Sequence, residues 1–417
     1  MKSMVSRRNL FVGSTFFVIL AGLGVAQMFL DRTVAAQSRS AVQAPRFEVD
    51  PLWPKPLPNH WVLGSAIGVW VDADDHIWII HRSSATLAVN ERPLELKTGE
   101  CCAGAPPVLE FDQAGNLLRH WGGPGPGYEW PDSNHGIFID HKGNVWIGGN
   151  GGPDSQILKF TKDGKFLMQV GKKGARRRAG AAAGANEGDV AGFVGGSNDT
   201  ENFGRVAKIF VDAKENEAYI ADGYLNKRVA VLDADTGKMK RWWGAYGNKP
   251  DDTPLAAYDP AAPPAQQFRN PVHCADMSVD RFIYVCDRVG DRLQVFTPDG
   301  KFVKEAFYEK ETRNAGSVWD IAFSKDAQQK YIFMADGVNE KVKIVDRQSL
   351  QELTTFGDGG RQPGQFYGVH SIAIDSKGNL YTTETYEGKR VQRFLNRGLA
   401  PVTKMNQGTV WPSRAAR

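Results

Sequence analysis

From Arg46 onward, apolar and polar residues alternate over short runs separated by turns rich in Asp, Gly and Asn. One order recurs. An apolar strand leads into a turn such as Asp-x-x-Gly-Asn, and a second strand carries an aromatic residue. After a polar link, a third strand of the Val-x-x-Phe kind runs into Asp-Gly-Lys and a fourth strand. The copies begin near Ile67 (GVWVDADDHIWIIHR), His135 (HGIFIDHKGNVWIGGN) and Lys208 (KIFVDAKENEAYIADGY). Three more begin near His273 (HCADMSVDRFIYVCDR), Val318 (VWDIAFSKDAQQKYIFMADG) and His370 (HSIAIDSKGNLYTTET). Each unit predicts a four-stranded antiparallel sheet.

Six such units in a row predict an all-β fold, a six-bladed β-propeller around a central channel, over residues 62–400. No helical period runs through them. Residues 37–61 read as an N-terminal linker and 401–417 as a C-terminal tail, and RFEVDPLW or APVTK is available as an outer strand to close the ring. Two insertions, 83–106 with Cys101 and Cys102, and 171–204, rich in Gly and Ala, read as flexible loops.

The second-strand aromatic serves as a ruler. Eleven residues before Trp146, Tyr284 and Tyr381 stand His135, His273 and His370, whereas the same count from Trp78 reaches Ile67 and from Tyr219 reaches Lys208. Histidine thus occupies one register in blades two, four and six. First strands line the channel of a propeller, so three imidazoles from alternate blades point at one axis, a donor set that suits a zinc-type metal with a position left for water or substrate. His60, His76, His81, His120 and His141 follow no such pattern.

Four residues after the aromatic come Arg82 and Arg288, at the end of the second strand and hence at the rim that carries the histidines. Paired with a metal, guanidinium forks suit a carboxylate substrate; alone, a salt bridge from Arg288 to Asp287 is the simpler reading. Tyr224, on the same rim, is a packing residue or a phenol whose pKa the neighbouring cations lower, so that it acts as a base.

Composition narrows the classes. With 417 residues, 41% of them hydrophobic, the chain buries a sizeable core, which excludes wholesale disorder. A formal net charge of +4 is too balanced for a nucleic-acid protein, and the run Arg176-Arg177-Arg178 reads as a solvated loop. Four cysteines exclude a disulfide scaffold. Residues 1–36 carry Arg7-Arg8, an apolar stretch and a small-residue site around Val34 and Ala36, the pattern of a twin-arginine-like export signal. The expectation is a periplasmic or secreted protein, touching a membrane only if that segment is retained as an anchor.

At these residues the chain resembles the peptidyl-α-hydroxyglycine α-amidating lyase family, a six-bladed propeller related to NHL-repeat proteins. Ile80-His81-Arg82 matches the family motif that supplies one active-site arginine, and Cys286-Asp287-Arg288 the motif that supplies the other. Asn134-His135-Gly136-Ile137 and Pro271-Val272-His273 match two zinc-histidine motifs, and His370 falls in the third place. Asp222-Gly223-Tyr224, followed by Asn226 and Arg228, matches the motif of the catalytic tyrosine. The resemblance implies Zn2+ on the three histidines, Tyr224 as base, and Arg82 and Arg288 on a substrate carboxylate. The implied reaction cleaves a carbinolamide C–N bond to give an amide and glyoxylate.

The chain departs from the family at two of these places. Ser371 stands where the family has an aspartate that helps to hold a structural Ca2+, and Leu225 replaces a family cysteine. Cys274 and Cys286 fall on neighbouring strands of one blade and either pair or stay as buried thiols. No copper-site motif of a hydroxylating domain lies within these residues. Two other classes compete: a metal-dependent hydrolase or lactonase with a metal-bound water as nucleophile, and a non-enzymatic NHL-repeat binding propeller.

Overall fold

The computed structural model describes residues 42–175 and 196–412, together with Gln27. The remainder of residues 1–36, read as an export signal, and Arg176, Arg177 and Arg178 lie outside the described residues. Six four-stranded antiparallel sheets form the six blades of a β-propeller, as the repeat predicts. Their innermost strands are Ala66–Val71, Asn134–Ile139, Val206–Asp212, Val272–Met277, Asp320–Phe323 and Val369–Ile374. Among the described residues no helix is long and apolar enough to cross a membrane.

The recurring turn explains the recurring sequence. In blade two, one oxygen of Asp140 accepts from the amides of Lys142 and Asn144, while the other accepts from the Trp146 indole at 2.9 Å. Asp375 does the same for Lys377, Asn379 and the Tyr381 hydroxyl, and Asp72 for Asp74, His76 and the Trp78 indole. One carboxylate therefore caps the hairpin and satisfies the polar hydrogen of an otherwise fully buried aromatic, which is why the aromatic follows the aspartate at constant spacing. Gly143 and Gly378 take positive φ in these turns, where a side chain would be strained. The aromatics fill the space between blades: Trp78 and Ile80 pack with Ile137, Ile147 and Leu158 of the next sheet.

A second recurring contact ties the second strand to the third. Asp222 pairs with Arg228, Asp287 with Arg292, and Glu384 with Arg390, all within 2.8 Å.

The ring closes through the stretch read as a linker. Gln43–Asp50 is the outer strand of the sixth blade and pairs antiparallel with Arg390–Pro401. Its alternation drives this, since Ala44, Phe47 and Val49 are buried, and Phe47 meets Phe333 and Phe356. Of the two candidates for closure, the N-terminal segment is the one used. The C-terminal tail lies back on it, with Val49 N–H donating to the Val410 carbonyl.

The insertion 83–106 differs from the expected flexible loop. It holds short helical turns at Ser83–Thr86, Val89–Glu91 and Pro93–Leu96, then a strand, Ala103–Gly104, parallel to Trp61–Val62. Lys389 anchors it through Glu91 at 2.7 Å, and Cys101 and Cys102 are joined by a disulfide. Cys274 and Cys286, whose state was open, also form a disulfide across the first two strands of blade four. Of the insertion 171–204, residues 176–195 lie outside the described residues.

Candidate metal centre and its rim

Each histidine register coincides with a break in strand pairing. The innermost strands shift register at Ile67, His135, Ala207, His273 and His370. A bulge of this kind leaves one residue unpaired and re-aims its side chain, here toward the axis. The count that placed Lys208 in this register is off by one. The hairpin joining Phe210 to Tyr219 is one residue longer than that joining Trp70 to Trp78, so Ala207 holds the equivalent slot.

The odd blades still contribute at this level, through their backbone. Nδ1 of His135 donates to the Ala207 carbonyl at 2.7 Å, Nδ1 of His273 to the Trp319 carbonyl at 2.5 Å, and Nδ1 of His370 to the Ile67 carbonyl at 2.7 Å. Each imidazole from an even blade is thus held by the next blade around the ring. A carbonyl only accepts, so Nδ1 carries the hydrogen and every Nε2 keeps its lone pair.

The three rings converge. Their centroids are 4.8 to 5.1 Å apart, and their ligand nitrogens lie within 4.8 Å of one another. Burial first, then the nearby cations and imidazoles, holds all three below the usual histidine pKa, His370 at about 3. Neutral imidazoles with oriented second nitrogens form a donor set that fits a zinc-type ion.

Tyr224 and Arg288 close over this cluster. The Tyr224 hydroxyl lies 2.9 Å from Nε2 of His135 and 3.2 Å from Nε2 of His273, and a terminal nitrogen of Arg288 donates to it at 3.2 Å. Burial pushes the phenol up, and the Arg288 and Arg82 charges offset only part of that rise, so the protein groups alone do not give the lowered pKa expected from sequence. Arg288 also lies 4.6 Å over the Trp319 ring. Its neighbour Asp287 is taken by Arg292, which removes the simple salt-bridge reading of Arg288.

Arg82 shares the rim, and its charge reaches His135, His370 and Tyr224. It donates to Asn150 Oδ1 at 2.8 Å, an oxygen that also accepts from the Ser133 hydroxyl. Nε of Arg82 and of Arg288 are buried without a hydrogen-bond partner among the described residues. Two guanidiniums beside a histidine cluster therefore have donors to spare for an anion.

All six residues named from the sequence thus share one end of the channel. Asn150 was missed, although the ruler that found Arg82 and Arg288 reaches it four residues after Trp146. His81 instead holds the chain on either side of Arg82, accepting from Gly64 N–H and Ser83 N–H and donating to the Pro106 carbonyl.

The residues around Ser371 do not fit calcium. Its hydroxyl donates to Asp320, and the ammonium of Lys208 lies between Asp320 and Asp276. Calcium takes about six to eight oxygen ligands, and here a fixed cation already holds both carboxylates.

A six-bladed β-propeller with a three-histidine cluster on its axis is the class that fold and site define. No protein-family model matches the chain. NHL repeat-containing protein 3 of Mus musculus is 23% identical over 334 residues, 78% of this chain and 74% of that protein. Among solved structures, a catalytically inactive virginiamycin B lyase of Staphylococcus aureus with quinupristin aligns at TM-score 0.45 and 13% identity, covering 87% of this chain and 89% of that one. A protein of unknown function from Bacteroides thetaiotaomicron aligns at TM-score 0.49 and 12% identity, covering 85% and 77%.

Proposed function

We propose that this chain is a metal-dependent carbon–nitrogen lyase that cleaves a carbinolamide bearing a carboxylate, releasing an amide and glyoxylate. The observation that carries the reading is the Tyr224 hydroxyl, within 3.2 Å of two histidine Nε2 atoms and of Arg288. His135, His273 and His370 would hold the ion, which supplies Lewis-acid polarisation of the substrate hydroxyl.

The remaining work falls to this chain's own residues. Arg82 and Arg288 bind the carboxylate with donors that no carboxylate among the described residues occupies. Tyr224, held by Arg288, accepts the proton of the substrate hydroxyl as the C–N bond breaks, acting as the phenolate that Arg82, Arg288 and the charge of an ion on the histidines would together favour. The same proton passes to the departing amide nitrogen, so the products are a neutral amide and an aldehyde acid. The buried setting keeps competing water away from the carbinolamide carbon. Two disulfides suit an oxidising compartment, which supports export to the periplasm or beyond.

The test is glyoxylate release from synthetic α-hydroxyhippurate by zinc-loaded full-length protein, with metal content measured in parallel. Release that depends on zinc supports the lyase. Ester or lactone hydrolysis without glyoxylate would assign the site to a hydrolase, and zinc binding with neither activity would favour a binding propeller.

A further inference from the structure

A second cluster lies beside the histidines on the same innermost strands. Lys208 of blade three is buried, and its ammonium lies 2.9 Å from Asp276 of blade four and 2.5 Å from Asp320 of blade five. The other oxygen of Asp320 accepts from the Ser371 hydroxyl at 2.6 Å and from the Ile372 amide at 3.1 Å in blade six. The ammonium therefore ties blades three, four and five together, and Asp320 carries the link on to blade six. A cavity of about 10 Å³ is lined by the three histidines together with Lys208, Asp320 and Ser371.

Two members of this cluster, Lys208 and Asp320, are chain neighbours of groups that aim the imidazoles. Lys208 follows Ala207, whose carbonyl orients His135, and Asp320 follows Trp319, whose carbonyl orients His273. Ser371 follows His370 itself. Moving Lys208 or Asp320 moves those carbonyls, because a strand residue and its neighbour share a peptide plane.

We propose that Lys208 is the built-in cation of the channel and a positioning residue for the histidine cluster. It takes the place of a divalent ion between Asp276 and Asp320, and by clamping them it fixes the carbonyls that point Nε2 of His135 and His273 at the axis. The proposal rests on the reading of the three histidines as a metal site. A metal in the lower cluster would need further oxygen or thiolate ligands; Cys274, the third residue of that group, is locked in its disulfide with Cys286.

Lys208→Met alone strands two buried carboxylates and risks unfolding. The decisive variant is therefore K208M/D276N/D320N, in which the charges leave together, made in the full chain. The measurements are thermal melting, zinc affinity by chelator competition, and imidazole ¹⁵N shifts of the chelator-treated protein. We expect a folded variant that holds zinc about 10- to 100-fold more weakly. Its His135 and His273 should lose the Nδ1–H tautomer that the Ala207 and Trp319 carbonyls impose in the parent. A folded variant with parental zinc affinity and parental shifts would overturn the positioning role.

A second variant, Lys208→Ser, made and purified in calcium so that the ion offsets the two stranded aspartates, should show a calcium-dependent rise in melting temperature that the parent lacks. A parent stabilised by calcium, or a Lys208→Ser chain indifferent to it, would overturn the built-in cation. If the parent takes up no zinc, the metal reading of the histidines fails, and the imidazole shifts still decide the role of Lys208.

Discussion

Arg292 holds the Asp287 carboxylate at 2.8 Å, and Arg288, the residue after Asp287, reaches the Tyr224 hydroxyl at the histidine cluster with no carboxylate partner among the described residues. The clamp is generic to the fold, recurring as Asp222 with Arg228 and Glu384 with Arg390. A contact that builds the propeller thereby leaves a guanidinium free for a ligand.

Arg288→Lys should therefore act on substrate binding. An ammonium keeps the charge and loses the planar fork, at a loss of about 1.5–3 kcal/mol for a charge-assisted hydrogen bond. Steady-state kinetics on α-hydroxyhippurate should show KM rising by roughly ten- to a hundredfold. An unchanged KM would remove Arg288 from the carboxylate site.

Tyr224→Phe separates chemistry from metal binding. The ring stays and the hydroxyl between His135 and His273 goes, so zinc content should hold while kcat falls by about 10²- to 10⁴-fold. Turnover at the parental rate would show that another group moves the proton.

Acid should unfold the chelator-treated protein through its histidines. Burial depresses the pKa of His135, His273 and His370 from 6.5, with His370 at about 3, so below 6.5 the unfolded chain binds protons that the folded chain refuses. Stability is therefore whole above 6.5 and declines as pH falls toward 3, by about 1.4 kcal/mol per pH unit for each histidine. Denaturant melts across this range should show that slope, and His370→Asn should make it shallower. A midpoint independent of pH between those limits would contradict the buried neutral state.

Phe47 tests the closure of the ring. It is 2% exposed and packs at 5.3 Å from Phe333 and 5.2 Å from Phe356. Phe47→Ala should cost about 3–5 kcal/mol in a denaturant melt, as for other aromatic truncations in cores. A loss under about 1 kcal/mol would mean that the sixth blade stands without its outer strand.

Much of this molecule was written in local pattern. Strand alternation, the Asp-x-x-Gly-Asn turn and the aromatic that follows it recur because one carboxylate both caps the hairpin and satisfies the buried ring. That repetition was enough to count six blades and to see His135, His273 and His370 in one register. Arg82, Tyr224 and Arg288 were legible for the same reason, since strand ends return to a common rim.

What repetition cannot carry, only the closed ring decided. Which terminal segment supplies the last outer strand depended on contacts between residues more than three hundred positions apart, as in Phe47 with Phe356. The carbonyls of Ile67, Ala207 and Trp319 that fix the imidazole tautomers have no side-chain signature, because every residue has a carbonyl. Lys208 was off by one in a count of letters, and its partners Asp276 and Asp320 come from two other blades. Period and pattern act along the chain, whereas the orientation of a histidine and the pairing of a buried charge are set across it, where distant strands meet at the axis.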